Sequence, residues 1–396
     1  MPQKSLWSKD FILIMAINFI TALIYYLQMT TLASYSAQTY NASHSLAGFA
    51  ASIFILGSTF GRLVAGKYLD IIGRRRMCYV GFALYFLASL AYFLPPNIGG
   101  LLTVRILHGV LFGASNTAIA TVVLDFISPS RRGEGIGYYS LSGTAAAAFG
   151  PFIGVLLTQN FPYSAIFTSC ALLSLLILVL LPFIMINDHP APEGPKHSLR
   201  ISDYYEPNAL SIASVMLLIC ICYSCVTAFI NLYATELNIL SSVSVFFVIY
   251  AVAMFGARPY FGRMLDRKGD NIVMMPMIVS LSLGIGMLAL ARGPVLLLLS
   301  AIPMAIGFGT LMSCSQAIAV KSTTRERAVL ANSTTFISSE LGLGVGTVLL
   351  GGLVDYSGYS GMFGIAAIIT LFITVFYWFV HGRYARAKQL ATLNEH

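Results

Sequence analysis

Apolar and polar positions alternate along this chain in long blocks. Predominantly apolar runs occupy approximately 10–33, 45–69, 77–94, 100–127, 135–157, 164–186, 209–235, 241–265, 271–290, 294–320, 328–353 and 360–382, separated by short polar joints. A helix needs about 20 such residues to cross a hydrocarbon core. Each block therefore predicts one membrane-spanning helix, and the whole predicts an all-α membrane protein of about twelve spans. The alternation of a lipid-facing strand is absent from these blocks, which argues against an outer-membrane barrel. The first block is too long for a cleavable signal and leads straight into the second, so it reads as a span.

Composition supports this pattern. Of 396 residues, 57% are hydrophobic and only 10% charged, against about 25% charged in an ordinary globular domain. The net charge of +8 comes from loops on one side. Lys4 and Lys9 precede the first span. Arg74, Arg75 and Arg76 follow the second, and Arg131 and Arg132 the fourth. Lys196 and Arg200 come after the sixth, Arg267 and Lys268 after the eighth, and Lys321, Arg325 and Arg327 after the tenth. Arg383, Arg386 and Lys388 close the chain, and Arg292 is the clear exception on the other side. The positive-inside bias places both termini in the cytoplasm, with the protein embedded in a bacterial inner membrane. Basic residues spread over so many loops need no nucleic acid to explain them. The cysteines, Cys78, Cys170, Cys220, Cys222, Cys225 and Cys314, all fall inside predicted spans. The cluster at 220–225 lacks a fourth ligand, so no metal, cofactor or disulfide is expected.

A polar stretch from Asn187 to Pro207, with Pro190, Pro192 and Pro195, divides the spans six and six. It predicts an N-terminal half at 1–186, a cytoplasmic linker at 187–207, a C-terminal half at 208–382 and a tail at 383–396. The halves repeat. Arg62, Gly66, Asp70 and Gly73 recur 196 positions later as Arg258, Gly262, Asp266 and Gly269, and the same shift carries Arg131 onto Arg327 and Gly150 onto Gly346. Parallel repeats of this kind place a binding site at their interface near mid-membrane.

Three motifs carry chemistry. Gly66-Lys67-Tyr68-Leu69-Asp70-Ile71-Ile72-Gly73-Arg74-Arg75-Arg76 follows the second span. Its glycines allow close approach and a tight turn, and Asp70 can accept from N–H groups at a helix start. Asp125, near the end of the fourth span, is the natural partner for one arginine. Arg105-Ile106-Leu107-His108-Gly109 puts a cation and a histidine on one helical face inside the fourth span, where charges face protein or a water cavity. Gly143 through Gly154, centred on Gly150-Pro151-Phe152-Ile153-Gly154, supplies small residues and a proline to the fifth. Along its whole length the chain resembles the major facilitator superfamily. The first motif is similar to that family's loop signature, the second to its helix-4 motif, and the third to the helix-5 motif of its antiporters.

The resemblance implies two pseudo-symmetric six-helix bundles and a loop cluster (Gly66, Asp70, Gly73, Arg74, Arg75 and Asp125, with Gly262, Asp266 and Gly269) that latches the outward-open state. The helix-5 glycines imply contact with the other half and export. Helices 1, 4, 7 and 10 line the family's cavity, which nominates Asn18, Tyr25, Gln28, Arg105, Asn116, Phe229, Asn231, Tyr233, Ser313 and Gln316. Glu340 is the acid placed deepest in a span. Neutralising it costs less than burying its charge, so it reads as a proton carrier. Helix 1 lacks the acid that many family antiporters carry there, which puts coupling on Glu340, with Arg105 and His108 as further candidates. The expectation is a secondary active exporter of a small organic molecule, a drug or a metabolite such as a metallophore, by proton antiport and alternating access. One chain suffices for the pathway. A proton-coupled importer of an organic anion or sugar and a non-transporting receptor are the alternatives. The loops hold no Walker sequence or nucleophile-and-base set, so no enzyme is expected.

Overall fold

The computed structural model describes residues 6–128, 131–188, 205–324 and 327–385. Outside them lie Lys4, Lys196, Arg200, Arg325, Arg386, Lys388 and most of the expected linker, as do the side chains of Asp70, Arg132 and Arg258. Among the described residues the ordered elements are helices: α1 (Lys9–Tyr40), α2 (His44–Ile72), α3 (Arg74–Leu90), α4 (Ile98–Val122), α5 (Arg132–Asn160), α6 (Ser164–Leu180), α7 (Leu210–Glu236), α8 (Ser241–Lys268), α9 (Asp270–Ala289) and α10 (Pro294–Lys321). A last helical stretch, Ala328–Tyr377, has 50 residues. At 1.5 Å per residue it would extend ~75 Å, over twice the ~30 Å membrane core. Gly358, at φ 66°, ψ 177°, breaks it into α11 (328–357) and α12 (359–377). Among the described residues this gives twelve long helices.

Local chemistry sets the helix ends. Ser8 caps α1 by accepting from Phe11 N–H, and Asn41, at φ 51°, ends it in the left-handed region. Asn97 caps α4 by accepting from Gly100 N–H. Such caps satisfy N–H groups that the first helical turn leaves open. α1 runs seven residues beyond the block at 10–33, because its polar end, Ser34 to Tyr40, continues the helix until the left-handed cap.

The helices cluster into two compact units, Met1–Ala42 with Ala50–His197, and Ser43–Phe49 with Ser198–His396. Within the first, α1 packs on α4, α5 and α6, and α3 on α4 and α6. The second pairs α7 with α11, α9 with α10, and α8 with α10, and seats α12 on α7 and α9 through Tyr233 and Ser282. The shared α1–α5/α7–α11 and α3–α4/α9–α10 pairings are the internal repeat expressed as packing.

Small residues set the closest approaches. A Cβ on Gly57 or Gly61 of α2 would strike the carbonyls of Ile106 or Val110 on α4, and one on Gly109 or Gly113 of α4 would strike those of Phe54 or Ser58 on α2. The two backbones therefore interlock, the membrane alternative to apolar burial, since lipid is as apolar as leucine. Gly150 and Gly154 of α5 meet Tyr26, Leu27 and Thr31 of α1, and Gly346 of α11 meets Ile221 of α7. This corrects one expectation. The helix-5 glycines seat α5 on α1 of their own unit, because their bare faces point at α1. Pro151 lies within the unbroken α5.

Candidate functional site

The interlock of α2 with α4 decides where Arg105 goes. Its side chain is 0% exposed. Nε donates to Ala50 O (3.2 Å) and Nη2 to Ala51 O (2.6 Å), both on α2. Nη1 donates to Gln28 Oε1 (2.8 Å) on α1 and to the Tyr92 hydroxyl (3.3 Å) beyond α3. The guanidinium lies 4.7 Å from the Phe54 ring centroid. All these partners are neutral. Each acceptor dipole and the ring face offset part of the cost of burying a cation.

The network continues in one direction. Ser89 Oγ donates its proton to Tyr85 O (3.0 Å), so toward His108 Nε2 (3.2 Å) it accepts. The Tyr92 hydroxyl lies 3.4 Å from Gln28 Oε1 and 3.1 Å from His108 Nδ1; donating to the shorter contact, with the His108 proton on Nε2, satisfies both imidazole nitrogens. The resulting chain, Arg105 to Tyr92 to His108 to Ser89 to the Tyr85 carbonyl, polarises every member the same way. Tyr85 stacks on the imidazole at 4.3 Å, and Phe54 meets it edge-on at 5.5 Å. His108 is thus tied on both nitrogens and both ring faces. Tyr92, Ser89 and Tyr85 had no signal of their own in the sequence, because only the fold brings α3 beside His108.

A second polar group joins α1, α4 and α5. Asn18 Nδ2 donates to Ser142 Oγ (2.8 Å) and Tyr139 O (3.2 Å), and its Oδ1 accepts from Asn116 Nδ2 (3.3 Å). Tyr25 is buried among Tyr26, Phe54 and Phe112. The structure therefore brings Asn18 to Asn116, and Gln28 to Arg105, within one unit.

In the second unit the nominated residues scatter. Tyr233 hydrogen-bonds Leu288 O, Ala291 O and Ser360 Oγ, a strut between α7, α9 and α12. Phe229 and Asn231 are buried on α7. Ser313 donates to Gly309 O (3.0 Å) within α10, and Gln316 is half-buried on the same helix. Ser313 also lines a cavity of about 130 Å³ with Gly262, Asp266, Thr310 and Cys314. Glu340 is 7% exposed and lies ~18 Å along α11 from its start. The buried acids among the described residues are Glu340 and Glu206, and Glu206 precedes α7, outside the spans.

At the basic ends, Arg74 binds both oxygens of Asp125 (3.1 and 2.9 Å). This is the arginine–acid pairing the motif predicts, in bidentate form. Gly73 sits at φ 90° and its repeat Gly269 at φ 86°, a region L side chains avoid. Among the described residues, no atom lies within 4 Å of a Cβ added to Gly66 or Gly262. The pairing is not repeated faithfully. The positions equivalent to Arg74 and Asp125 are Asp270 and Lys321, with the charges inverted. Lys321 instead takes Asp266 (2.5 Å), and Asp270 takes His381 (2.9 Å).

Two carboxylates at the linker's ends went unread in the sequence. Asp188 accepts from Arg75 N–H (3.0 Å) and packs against Gly73, so it supplies α3 with the cap its own N-terminus lacks. Glu206 is bound by Arg327 Nε and by the backbone and side-chain amides of Asn208 (3.3 and 2.9 Å). Burial by itself would raise the Glu206 carboxyl. The hydrogen bonds from Arg327 and Asn208 outweigh it and hold the group below its ordinary range. All six cysteines are free and buried.

The chain matches the family model of the Major Facilitator Superfamily over residues 14–295 and 212–395. An uncharacterized MFS-type transporter of Methanocaldococcus jannaschii is 25% identical over 93% of this chain and 95% of its own length. A multidrug resistance protein MdtL of Vibrio parahaemolyticus is 26% identical over 41% of each chain. Among solved structures, a variant of the nucleoside transporter NupG aligns with a TM-score of 0.78 at 13% identity, over 94% of this chain and 100% of its own. A variant of the peptide transporter POT with sulfate gives 0.76 at 16%, over 98% and 97%. With the fold and the family model in agreement, this chain belongs to the major facilitator superfamily, a multi-pass membrane transporter of small molecules and not an enzyme.

Proposed function

We propose that this transporter is an exporter that couples outward movement of a small organic molecule to inward movement of protons, by alternating access. The observation that carries the reading is Glu340, an acid enclosed deep in α11 where a carboxylate is costly and a carboxylic acid is not. A group of that kind can bias a two-state equilibrium, because its protonated form favours whichever conformation buries it. The partial likeness to MdtL, named for multidrug resistance, supports a drug-like or metabolite cargo and the outward direction. The loop cluster around Gly73, Arg74 and Asp125 serves as a latch for one end state, with Asp70, Arg75, Asp266 and Gly269 as further members.

Arg105 weighs against the importer reading. A docking charge for an organic anion must reach solvent in some state, yet four of its five N–H groups are given to neutral acceptors. Its role in the proposal is a fixed internal charge beside the tied His108.

Reconstituted vesicles test the reading. In Glu340→Gln, a pH gradient should no longer drive transport, while the protein still inserts and counterflow of the cargo persists. Proton-driven transport at the parent rate in that variant removes Glu340 from the mechanism. Cargo moving in the same direction as protons in inverted vesicles, rather than against them, contradicts antiport.

A further inference from the structure

α9 and α12 do not close completely. Between them runs an open groove of about 460 Å³ lined by Met275, Thr374, Val375, Trp378 and Phe379. Val375 and Phe379 are 53% and 57% exposed, so the outer wall is apolar and faces outward. Its position along the membrane normal is fixed by three contacts. Asp270, the first residue of α9, meets His381 (2.9 Å), and Asn271 Nδ2 donates to Gly382 O (2.8 Å). Tyr377 donates to Asn271 Oδ1 (2.9 Å). These fasten the start of α9 to the π-helical turn that follows α12, Trp378–Gly382, so the groove opens at the basic end of the protein.

The charges at that mouth are arranged unevenly. Arg383 follows the π-helical turn Trp378–Gly382, four residues beyond Phe379, with its guanidinium 4.7 Å from the Tyr384 ring centroid. Arg267 is exposed in the last turn of α8, three residues before α9 begins. The two acids nearby are already engaged, Asp266 by Lys321 and Asp270 by His381. Among the described residues neither Arg267 nor Arg383 makes an ion pair, and Arg383 donates only to the neighbouring Tyr384 hydroxyl (2.8 Å). Trp378, of a type that favours the level where acyl chains meet headgroups, lines the groove.

We propose that the groove seats an anionic phospholipid of the leaflet at the basic end, with an acyl chain against Phe379 and Val375 and its phosphate taken by Arg383 and Arg267. A zwitterionic lipid fills the same apolar wall but brings its own cation to the rim, where two arginines already stand. A polybasic rim of this kind favours an anionic headgroup by roughly fivefold for each arginine.

The chain has 2 tryptophans, Trp7 and Trp378, so Trp7→Phe leaves one reporter inside the groove. In nanodiscs of this protein, phosphatidylglycerol with brominated acyl chains should quench Trp378 more strongly than brominated phosphatidylcholine at equal mole fraction. The difference should fall in Arg383→Gln/Arg267→Gln and at high salt. In the Trp7→Phe protein itself, unbrominated phosphatidylglycerol should restore the fluorescence and unbrominated phosphatidylcholine should not. Equal quenching by the two lipids, equal restoration by both, or a preference untouched by removing the two arginines overturns the proposal.

Discussion

Replacing Tyr92 by Phe isolates one hydroxyl at the centre of the buried chain. The ring keeps its place, stacked on Phe167 at 5.3 Å and 13°. What disappears is an acceptor for Arg105 Nη1 and a donor to His108 Nδ1. Both groups are buried at 0% exposure. A buried polar atom left without a partner costs about 1–3 kcal/mol. Arg105 keeps three other hydrogen bonds, so its share falls at the low end, and the sum is about 2–4 kcal/mol. For a cooperative unit of this size, each kcal/mol moves the midpoint by roughly 2–4 °C, which predicts a fall of about 4–16 °C. The assay is thermal unfolding in detergent at one scan rate, followed by loss of the monodisperse peak. His108→Leu completes a double-mutant cycle. Once the hydroxyl is gone, His108 has less to lose, so the two losses should fall short of additivity by about 1–2 kcal/mol. A shift under about 2 °C for Tyr92→Phe, or strict additivity with His108→Leu, refutes the directed chain.

Further predictions concern the basic ends and the helix interlock. Glu206 has a lowered folded pKa, so its clasp on Arg327 stabilises the fold above the ordinary carboxylate value and loses that effect as pH falls through the folded value. The midpoint difference between the parent and Glu206→Gln should therefore be full near neutrality and vanish in acid, and a difference that grows on acidification contradicts it. Gly73→Ala must place a side chain at φ 90° and should cost about 1–2 kcal/mol. Gly66→Ala, with no described residue within 4 Å of the added Cβ, should leave the midpoint unchanged, and equal losses for the two would contradict the assignment. Gly61→Ala or Gly113→Ala drives a methyl into a facing carbonyl and should lower the yield of folded protein sharply, whereas Gly137→Ala, with nothing within 4 Å, should not. Arg74→Asp should weaken the latch and the combined Arg74→Asp/Asp125→Arg restore it, measured as the distribution of inward and outward states by spin-label distances. Failure of the swap to restore that distribution removes the pair from the latch.

The amino-acid sequence determined the spans, their number and the division into repeats, because crossing a membrane is a local requirement. Each helix must carry its own run of apolar residues, whatever its neighbours are. Gly358 marked the one boundary that helical geometry alone blurred, since a polar joint as short as 354–359 interrupts the hydrogen-bond ladder only at a residue able to take a positive φ. The charged motif was legible for a similar reason: Gly73 and Arg74 belong to a short loop whose spacing is itself the signal, whereas Asp125 comes from the end of α4, 51 residues away. Tertiary structure alone decided the rest. It placed α2 against α4 closely enough for Arg105 to reach backbone carbonyls, brought Tyr92 and Ser89 to His108, and turned the helix-5 glycines toward α1. It also put Asp188 on the start of α3, 113 residues away. In lipid, apolar side chains do not choose among partners, so helix pairing depends on which small faces and polar groups fit one another. That fit joins residues from several helices at once, and no periodicity within one helix records it.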